Sequence, residues 1–206
     1  MAPYYPLFLD LAHKLCIVVG GGAVAERKVR GLLNAGARVR LISPEVTAGV
    51  RKLARQGRIE IVSRGYQTGD LDGAALAIAA TNSEEINMRV REESKRLSIL
   101  LNVVDSPDLG DFIVPSVVRK GPVLVAVSTS GLLPVLARRL KEEIDSKLSA
   151  DLALYARRVG AFRRFLIKTV QDPQRKKGIL RRVSEADVSE VSRMTLREMK
   201  KRFLDP

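Results

Sequence analysis

The chain has no tryptophan, one cysteine and one histidine, and aromatic side chains make up only 4% of its 206 residues. A single thiol excludes an intramolecular disulfide, and Cys16 sits in a β-branched run where a small buried hydrophobe is expected. One thiol and one imidazole (His13, expected at the surface in a turn) cannot assemble a tetrahedral metal site, so no metal ligands are expected. So few rings leave little for bases to stack on, which argues against a nucleic-acid surface. No apolar run approaches the ~18 residues of a membrane span. The opening MAPYYPLFLD lacks the positive start of a signal peptide and soon reaches an acid. These absences read as a cytoplasmic protein without membrane attachment.

Positive charge is abundant. The formal net charge is +13, and from Lys147 onward 16 Lys and Arg stand against 7 Asp and Glu. Such an excess favours an acidic partner: nucleic acid, anionic lipid or a small polyanion. Solvated helix faces account for many single basic residues equally well.

The pattern of elements argues an α/β fold with a Rossmann-like, doubly wound parallel sheet. KLCIVVG reads as a buried strand. AVAERKVRGLLNAGA reads as a helix with Val24, Lys28, Val29, Leu32 and Leu33 along one side and Gly36 as its stop. RVRLIS, IEIVS, ALAIAAT and ILLNVVD are further strands. Between them lie a helix starting at Pro44 and another opening at Asn82, which stands three residues before Glu85. After Asp105 the rhythm changes. FIVPSVVRKGPVLVAVST reads as a hairpin, and the next helix carries Leu133, Leu136, Leu140, Ile144 and Leu148 at spacings of three and four. The apolar runs around this hairpin have too little sheet of their own, so pairing of two copies across a two-fold axis is expected. The remainder reads as basic helices broken near Asp172-Pro173 and restarted around Ser184.

Between the first strand and the first helix stand Gly20, Gly21 and Gly22, then Ala23 and Val24. Glycines there let the chain turn tightly and bare the backbone N–H groups of the helix start, where a pyrophosphate gains from the helix dipole. The spacing Gly20-x-Gly22-x-x-Ala25 is the dinucleotide-binding form with Ala at the packing position. The second strand ends in Ser43-Pro44-Glu45 and not in the usual acid, so Ser43 or Glu45 would hold the ribose. No Arg stands in that turn for a 2′-phosphate, which favours NAD over NADP.

At the ends of the later strands, Thr81, Asn82, Asn102 and Val103 suit contacts to the nicotinamide ribose, although Asn82 could instead cap its helix. Asp105 lies at the same sheet edge and either serves chemistry or caps the turn Ser106-Pro107-Asp108. Ser128, Thr129 and Ser130 precede a helix start and read either as contacts to substrate carboxylates or as capping groups. Asp111 is a second carboxylate with a structural reading.

YPLFLDL, VVGGGAVAERK, AATN, NVVDSPDLGDFIVPS and VAVSTSGLLPVLAR occur in one order. Together they resemble precorrin-2 dehydrogenase, the module that also forms the first part of bifunctional siroheme synthases. The resemblance is close over about residues 3–145 and looser in the basic tail. It implies a homodimer with an NAD-binding domain (1–112), a dimerisation element (113–147) and a basic helical domain (148–206) over the active-site cleft. It implies oxidation of precorrin-2, a polyanionic tetrapyrrole, to sirohydrochlorin with NAD⁺, with Asp105 as the catalytic residue. Some members also insert ferrous iron, which the tetrapyrrole itself would hold. A basic cleft fits a polycarboxylate substrate independently of the family. The chain departs from the family at Ser130 and Leu133, where glycine and serine are usual, and at Gly110, where a cysteine is common. Two rival readings are an NAD-sensing regulator with a basic nucleic-acid-binding tail, and a chelatase without oxidation.

Overall fold

Five short apolar runs become one parallel sheet. In the computed structural model, which describes residues 4–204, the strands are β1 (Leu15–Val19), β2 (Arg38–Ile42), β3 (Ile59–Val62), β4 (Leu76–Ala79) and β5 (Leu100–Val103). Their order is β3-β2-β1-β4-β5, and every neighbouring pair is parallel. The crossovers carry α1 (Ala23–Asn34), α2 (Ala48–Arg55) and α3 (Glu84–Leu97). The chain winds outward from β1 in one direction and resumes on its other side at β4. The ends of β1 and β4 therefore flank the point where an open α/β sheet receives a ligand.

Both faces of this sheet are covered, which is why its strands read as continuous apolar runs and not as alternating ones. Cys16 and Val18 pack with Val29 and Leu32 of α1 and Val50 and Leu53 of α2. Ile17 and Val19 face the other way, in a cluster with Val90 of α3.

Four local expectations are corrected. The buried face of α1 is Ala25, Val29 and Leu32, so Val24 and Lys28 lie at its margin and not on its centre. Pro44 does not start α2. The chain first bonds back to the glycine turn, Thr47 N–H to Gly21 O at 3.0 Å, and Thr47 then caps the helix through Val50 N–H. The cap of α3 is Ser83, which accepts from Ile86 N–H, and Asn82 stays exposed. Ser184 lies inside a helix, its hydroxyl spent on Arg181 O at 2.7 Å.

The chain divides into two compact units, one closing at Val114 and the other opening at Pro115. In the second unit β6 (Ser116–Lys120) and β7 (Val123–Val127) form an antiparallel hairpin. Gly121, with φ +58°, takes the first turn position, which needs a residue free of Cβ strain. Five helices follow: α4 (Pro134–Lys147), α5 (Ala150–Thr169), α6 (Pro173–Glu185), α7 (Val188–Arg193) and α8 (Leu196–Phe203). Asp172, Asp187 and Thr195 cap the last three through their own side chains. Phe162, Leu166, Ile179, Val183, Val191, Met199 and Phe203 build their common core.

One polar clip binds α3 to the loop after β3. Glu93 is 4% exposed, accepts the Tyr66 phenol, and also accepts Gly69 N–H at 2.7 Å. Arg64 and Asp70 pair bidentately in the same loop at 2.8 and 2.7 Å. Burial pushes the Tyr66 hydroxyl well above the ordinary tyrosine range, and the bond to Glu93 adds to the shift. A raised folded-state value means that the clip's contribution is complete below about pH 10 and fades as pH rises beyond it. Ultraviolet difference spectra should show Tyr66 ionising well above the ordinary tyrosine range. Chemical denaturation should show stability falling above that pH in the wild type, and the fall should shrink in Tyr66→Phe. A Tyr66 that ionises in the ordinary tyrosine range would contradict the clip.

Candidate cofactor site and the loop after β5

At the end of β1 the backbone of three loops converges. Gly20, at φ +116°, donates its N–H to Ile42 O at 2.9 Å. A Cβ on Gly20 would run into the Ala80 carbonyl, and one on Gly21 into the Glu45 carbonyl. Both obstacles are backbone, so only glycine fits. A Cβ on Gly22 would meet nothing within 4 Å. The first two glycines thus close the turn on its neighbours, and the third leaves an open cradle before α1.

No side chain caps α1, and its first backbone bond is Glu26 N–H to Gly22 O at 3.0 Å. The N–H groups of Ala23 and Val24 therefore precede the helical ladder and remain available to an anion. Ala25 is fully buried against the sheet, as its place in the motif requires.

A cleft of about 500 Å³ opens here. Gly20, Gly21, Gly22, Ser43, Pro44, Glu45, Thr81 and Asn82 line it; Ala23, Val24, Asn102 and Val103 do not. Ser43 donates its hydroxyl to Glu45 O at 2.7 Å and so keeps its oxygen lone pairs for an incoming O–H. Thr81 is held by Asn87, 2.9 Å from hydroxyl to Oδ1, whereas Asn82 is exposed. The residues present fit a dinucleotide: a bare glycine cradle, free N–H donors, and polar groups at both flanks.

Val103 is core, packed in the α3-side cluster. Asn102 is buried and committed. It accepts from Lys28 Nζ at 3.2 Å and donates Nδ2 to Phe112 O at 3.0 Å. Burial lowers the Lys28 ammonium below the usual lysine range, Arg27 adds to this, and the Asp105 carboxylate opposes it.

Asp105 stands two residues beyond β5 with φ +61°, a left-handed conformation that few residues other than Gly, Asn and Asp adopt. It is exposed, and among the described residues its carboxylate accepts no hydrogen bond. The turn that follows, Pro107–Leu109, has Ser106 at its cap position and no side-chain cap bond. Asp111, by contrast, is structural. Its N–H donates to Leu101 O at 2.7 Å, and its Oδ2 accepts Leu101 N–H at 2.9 Å. Gly110 passes so close to Leu101 O that a Cβ would come within 2.9 Å.

In the second unit, Ser128 Oγ accepts Ser130 N–H at 3.0 Å, and Thr129 Oγ1 accepts Leu133 N–H at 3.1 Å. Ser130 has φ +55°. Both bonded hydroxyls act as acceptors, so each keeps its O–H to donate. No group of three or more His, Cys, Asp or Glu among the described residues could hold a metal ion. No helix among them is long and apolar enough to cross a membrane.

Three residues escaped the sequence reading. Thr47 and Tyr66 line the cleft; Thr47 was legible as a helix cap only if the helix start was placed correctly. Lys28 reaches Asn102, at the foot of the loop after β5, from a position that reads as one side of a helix.

Residues 7–116 match the model of a family described as "Putative NAD(P)-binding". The chain belongs to that family. This member is 42% identical over 167 residues to the siroheme synthase of Photobacterium profundum, covering 81% of the chain and 36% of the relative. It is 38% identical over 189 residues to that of Methylococcus capsulatus, covering 92% of the chain and 40% of the relative. The chain thus spans well under half the length of these curated relatives. Among solved structures it is similar to SirC, a precorrin-2 dehydrogenase, with a TM-score of 0.78 and 25% identity, covering 98% of this chain and 100% of that one. The regulator reading gains no support from these relatives.

Gly22 has φ −78° and ψ −174°, a backbone open to any residue, and the space beyond it is clear. Gly22→Asp should therefore fold normally while placing a negative charge in the cradle. Titration calorimetry should show NAD⁺ affinity falling at least tenfold, about 1.4 kcal/mol. Unchanged affinity in a folded variant would remove the cofactor from this cleft.

Proposed function

We propose that this NAD(P)-binding protein is a precorrin-2 dehydrogenase, oxidising precorrin-2 to sirohydrochlorin with NAD⁺. The observation that carries this reading is the end-to-end likeness to SirC, which leaves almost nothing of either chain unmatched. The siroheme synthase relatives, matched over most of this chain, support the same chemistry.

NAD⁺, when bound, supplies the hydride acceptor. Gly20, Gly21 and Gly22 admit the pyrophosphate, and the N–H groups of Ala23 and Val24 hold its charge. Ser43 and Glu45 take the adenosine ribose, with Pro44 shaping the turn between them. Thr81 and Asn82 take the nicotinamide ribose. Asn102 and Val103 act from behind, as buried support for the strand end. Asp105 accepts the proton lost from the macrocycle or steers a pyrrole N–H, which suits an exposed carboxylate with no partner of its own. The O–H groups of Ser128 and Thr129, with Ser130 between them and the helix, donate to carboxylates of the tetrapyrrole. The basic excess after Lys147 favours this polyanion. In a siroheme synthase-like chain, iron insertion would take the metal as a substrate. A cytoplasmic setting suits the lone reduced thiol of Cys16.

We also propose a homodimer built on residues 113–147. Leu132 and Val135 are each 76% exposed at the start of α4, with Leu133, Leu136 and Leu140 beside them and Val117 exposed on β6. Such a stripe on one unit fits the same stripe of a second copy. Sedimentation should give a dimer at micromolar concentration; a stable monomer there would contradict it.

Purified protein mixed with precorrin-2 and NAD⁺ should produce sirohydrochlorin and NADH together, followed by absorbance. Asp105→Asn keeps a residue that tolerates the left-handed backbone and removes the base. Turnover at saturating precorrin-2 should fall about 10²-fold or more, with NAD⁺ affinity and melting temperature little changed. Wild-type turnover in the folded variant would strike Asp105 from the mechanism.

A further inference from the structure

Beside the cofactor cleft stands an arginine whose charge is already matched. Val62 O accepts Ser43 N–H at 3.2 Å, so the chain leaves β2 and β3 side by side. Arg64 N–H then bonds back to the same Val62 O at 2.9 Å. The next two residues, Gly65 and Tyr66, line the cleft together with Ser43, Pro44 and Glu45. The Arg64 guanidinium lies on that wall, where Nη1 donates to Gly65 O at 2.9 Å.

Asp70 receives the rest of the fork. Nη1 donates to its Oδ2 at 2.8 Å and Nη2 to its Oδ1 at 2.7 Å. Gln67 N–H also donates to Oδ2 at 2.8 Å and fixes the carboxylate from within the loop. Bidentate pairs of this kind are strong and geometrically specific, and Arg64 holds the Asp70 carboxyl below the usual carboxylate range. A guanidinium has five N–H donors. Among the described residues three bonds are made, and the Arg64 side chain is 39% exposed. Asp70 therefore leaves Arg64 with donors to offer but with no net charge behind them.

NAD⁺ and NADP⁺ differ at the adenosine ribose, a 2′-hydroxyl in one and a 2′-phosphate in the other, and a nearby arginine is the usual receptor for the phosphate. We propose that Asp70 is a specificity-determining residue: by holding Arg64 as a neutral pair on the cleft wall, it denies a 2′-phosphate that guanidinium and so selects NAD⁺ over NADP⁺. The proposal rests on the reading of this cleft as the dinucleotide site, with the adenosine ribose at Ser43 and Glu45. A phosphate arriving there meets the carboxylate as well as the guanidinium, and repulsion by one offsets attraction by the other. A 2′-hydroxyl carries no charge and gains or loses little from the pair. A second arginine on the wall, Arg51, donates Nη2 to Val46 O at 2.9 Å and provides an internal control.

Titration calorimetry with NAD⁺ and with NADP⁺ reads this selection without precorrin-2. The wild type should bind NAD⁺ about tenfold or more tightly than NADP⁺. Asp70→Asn keeps an acceptor for Gln67 N–H and removes the charge. It should tighten NADP⁺ binding about tenfold, with NAD⁺ affinity within about threefold. Adding Arg64→Gln to Asp70→Asn should abolish the gain, because the gain acts through that one guanidinium. Adding Arg51→Gln instead should leave it. If Asp70→Asn proves unfolded, Asp70→Ser carries the same comparison.

Equal affinities in the wild type would overturn the proposal, as would NADP⁺ binding left unchanged in a folded Asp70 variant. So would a gain that survives Arg64→Gln, the mark of lost repulsion alone, or one that disappears with Arg51→Gln. A wild type that binds neither dinucleotide is a separate failure, because it sinks the cofactor reading of the cleft, and the proposal with it, before Asp70 is altered.

Discussion

The first unit is organised by backbone clearance at one point. Gly20 lies against the Ala80 carbonyl and Gly21 against the Glu45 carbonyl, so the ends of β1, β2 and β4 meet with no room for a side chain between them. Backbone does not yield as a flexible side chain does, and the approach therefore sets the shape of the cleft. Other contacts follow from it. Thr47, brought to Gly21, gives its hydroxyl to Glu26 Oε2 at 2.5 Å, and Arg30 grips the same carboxylate. These partners hold the Glu26 carboxyl below the usual range, with the Thr47 bond the larger cause. Glu26 in turn lies so near Gly49 that a Cβ there would strike it. A single close approach thus fixes the loop after β2, the start of α1 and the start of α2.

The other side of the site is organised by charge and hydrogen bonds. The loop after β5 contains a 3-10 turn of only three residues and is held at its feet by Asn102, Asp111 and Leu101. Hydrogen-bonded feet leave the middle of the loop exposed, which suits the role proposed for Asp105. The second unit follows a third logic. Its last four helices are held by side-chain caps and an apolar core, so their many lysines and arginines are left to the outside.

How much of this could be read in advance differs from residue to residue. The glycine turn was legible because its requirement is local: two positions exclude any Cβ, and the strand and helix on either side show in the hydrophobic pattern. The sheet was legible for the same reason, each strand being a short apolar run between turn signals. The start of α2 was not, because the chain at Pro44 is held off the helix by a bond to Gly21, a contact distant in sequence. Asn102 was rightly placed at a strand end, yet the face its side chain takes depends on the sheet, and there it meets Lys28. Lys28 itself is hidden in the pattern. A long apolar stem lets its charge lie several ångströms from where its helix position suggests. The left-handed turn at Asp105 carries no glycine to announce it, so the hydrophobic pattern does not report it.

Asp111 has a consequence beyond the loop it anchors. β5 is the last strand of the sheet, and its outer side would otherwise present unpaired backbone groups to any extended chain that came near. Asp111 occupies both groups of Leu101 there, one with its own N–H and one with its carboxylate. Gly110 lies flat against the same stretch. At Leu101 the edge of the sheet is therefore closed, and an extended chain coming alongside β5 finds that position already taken.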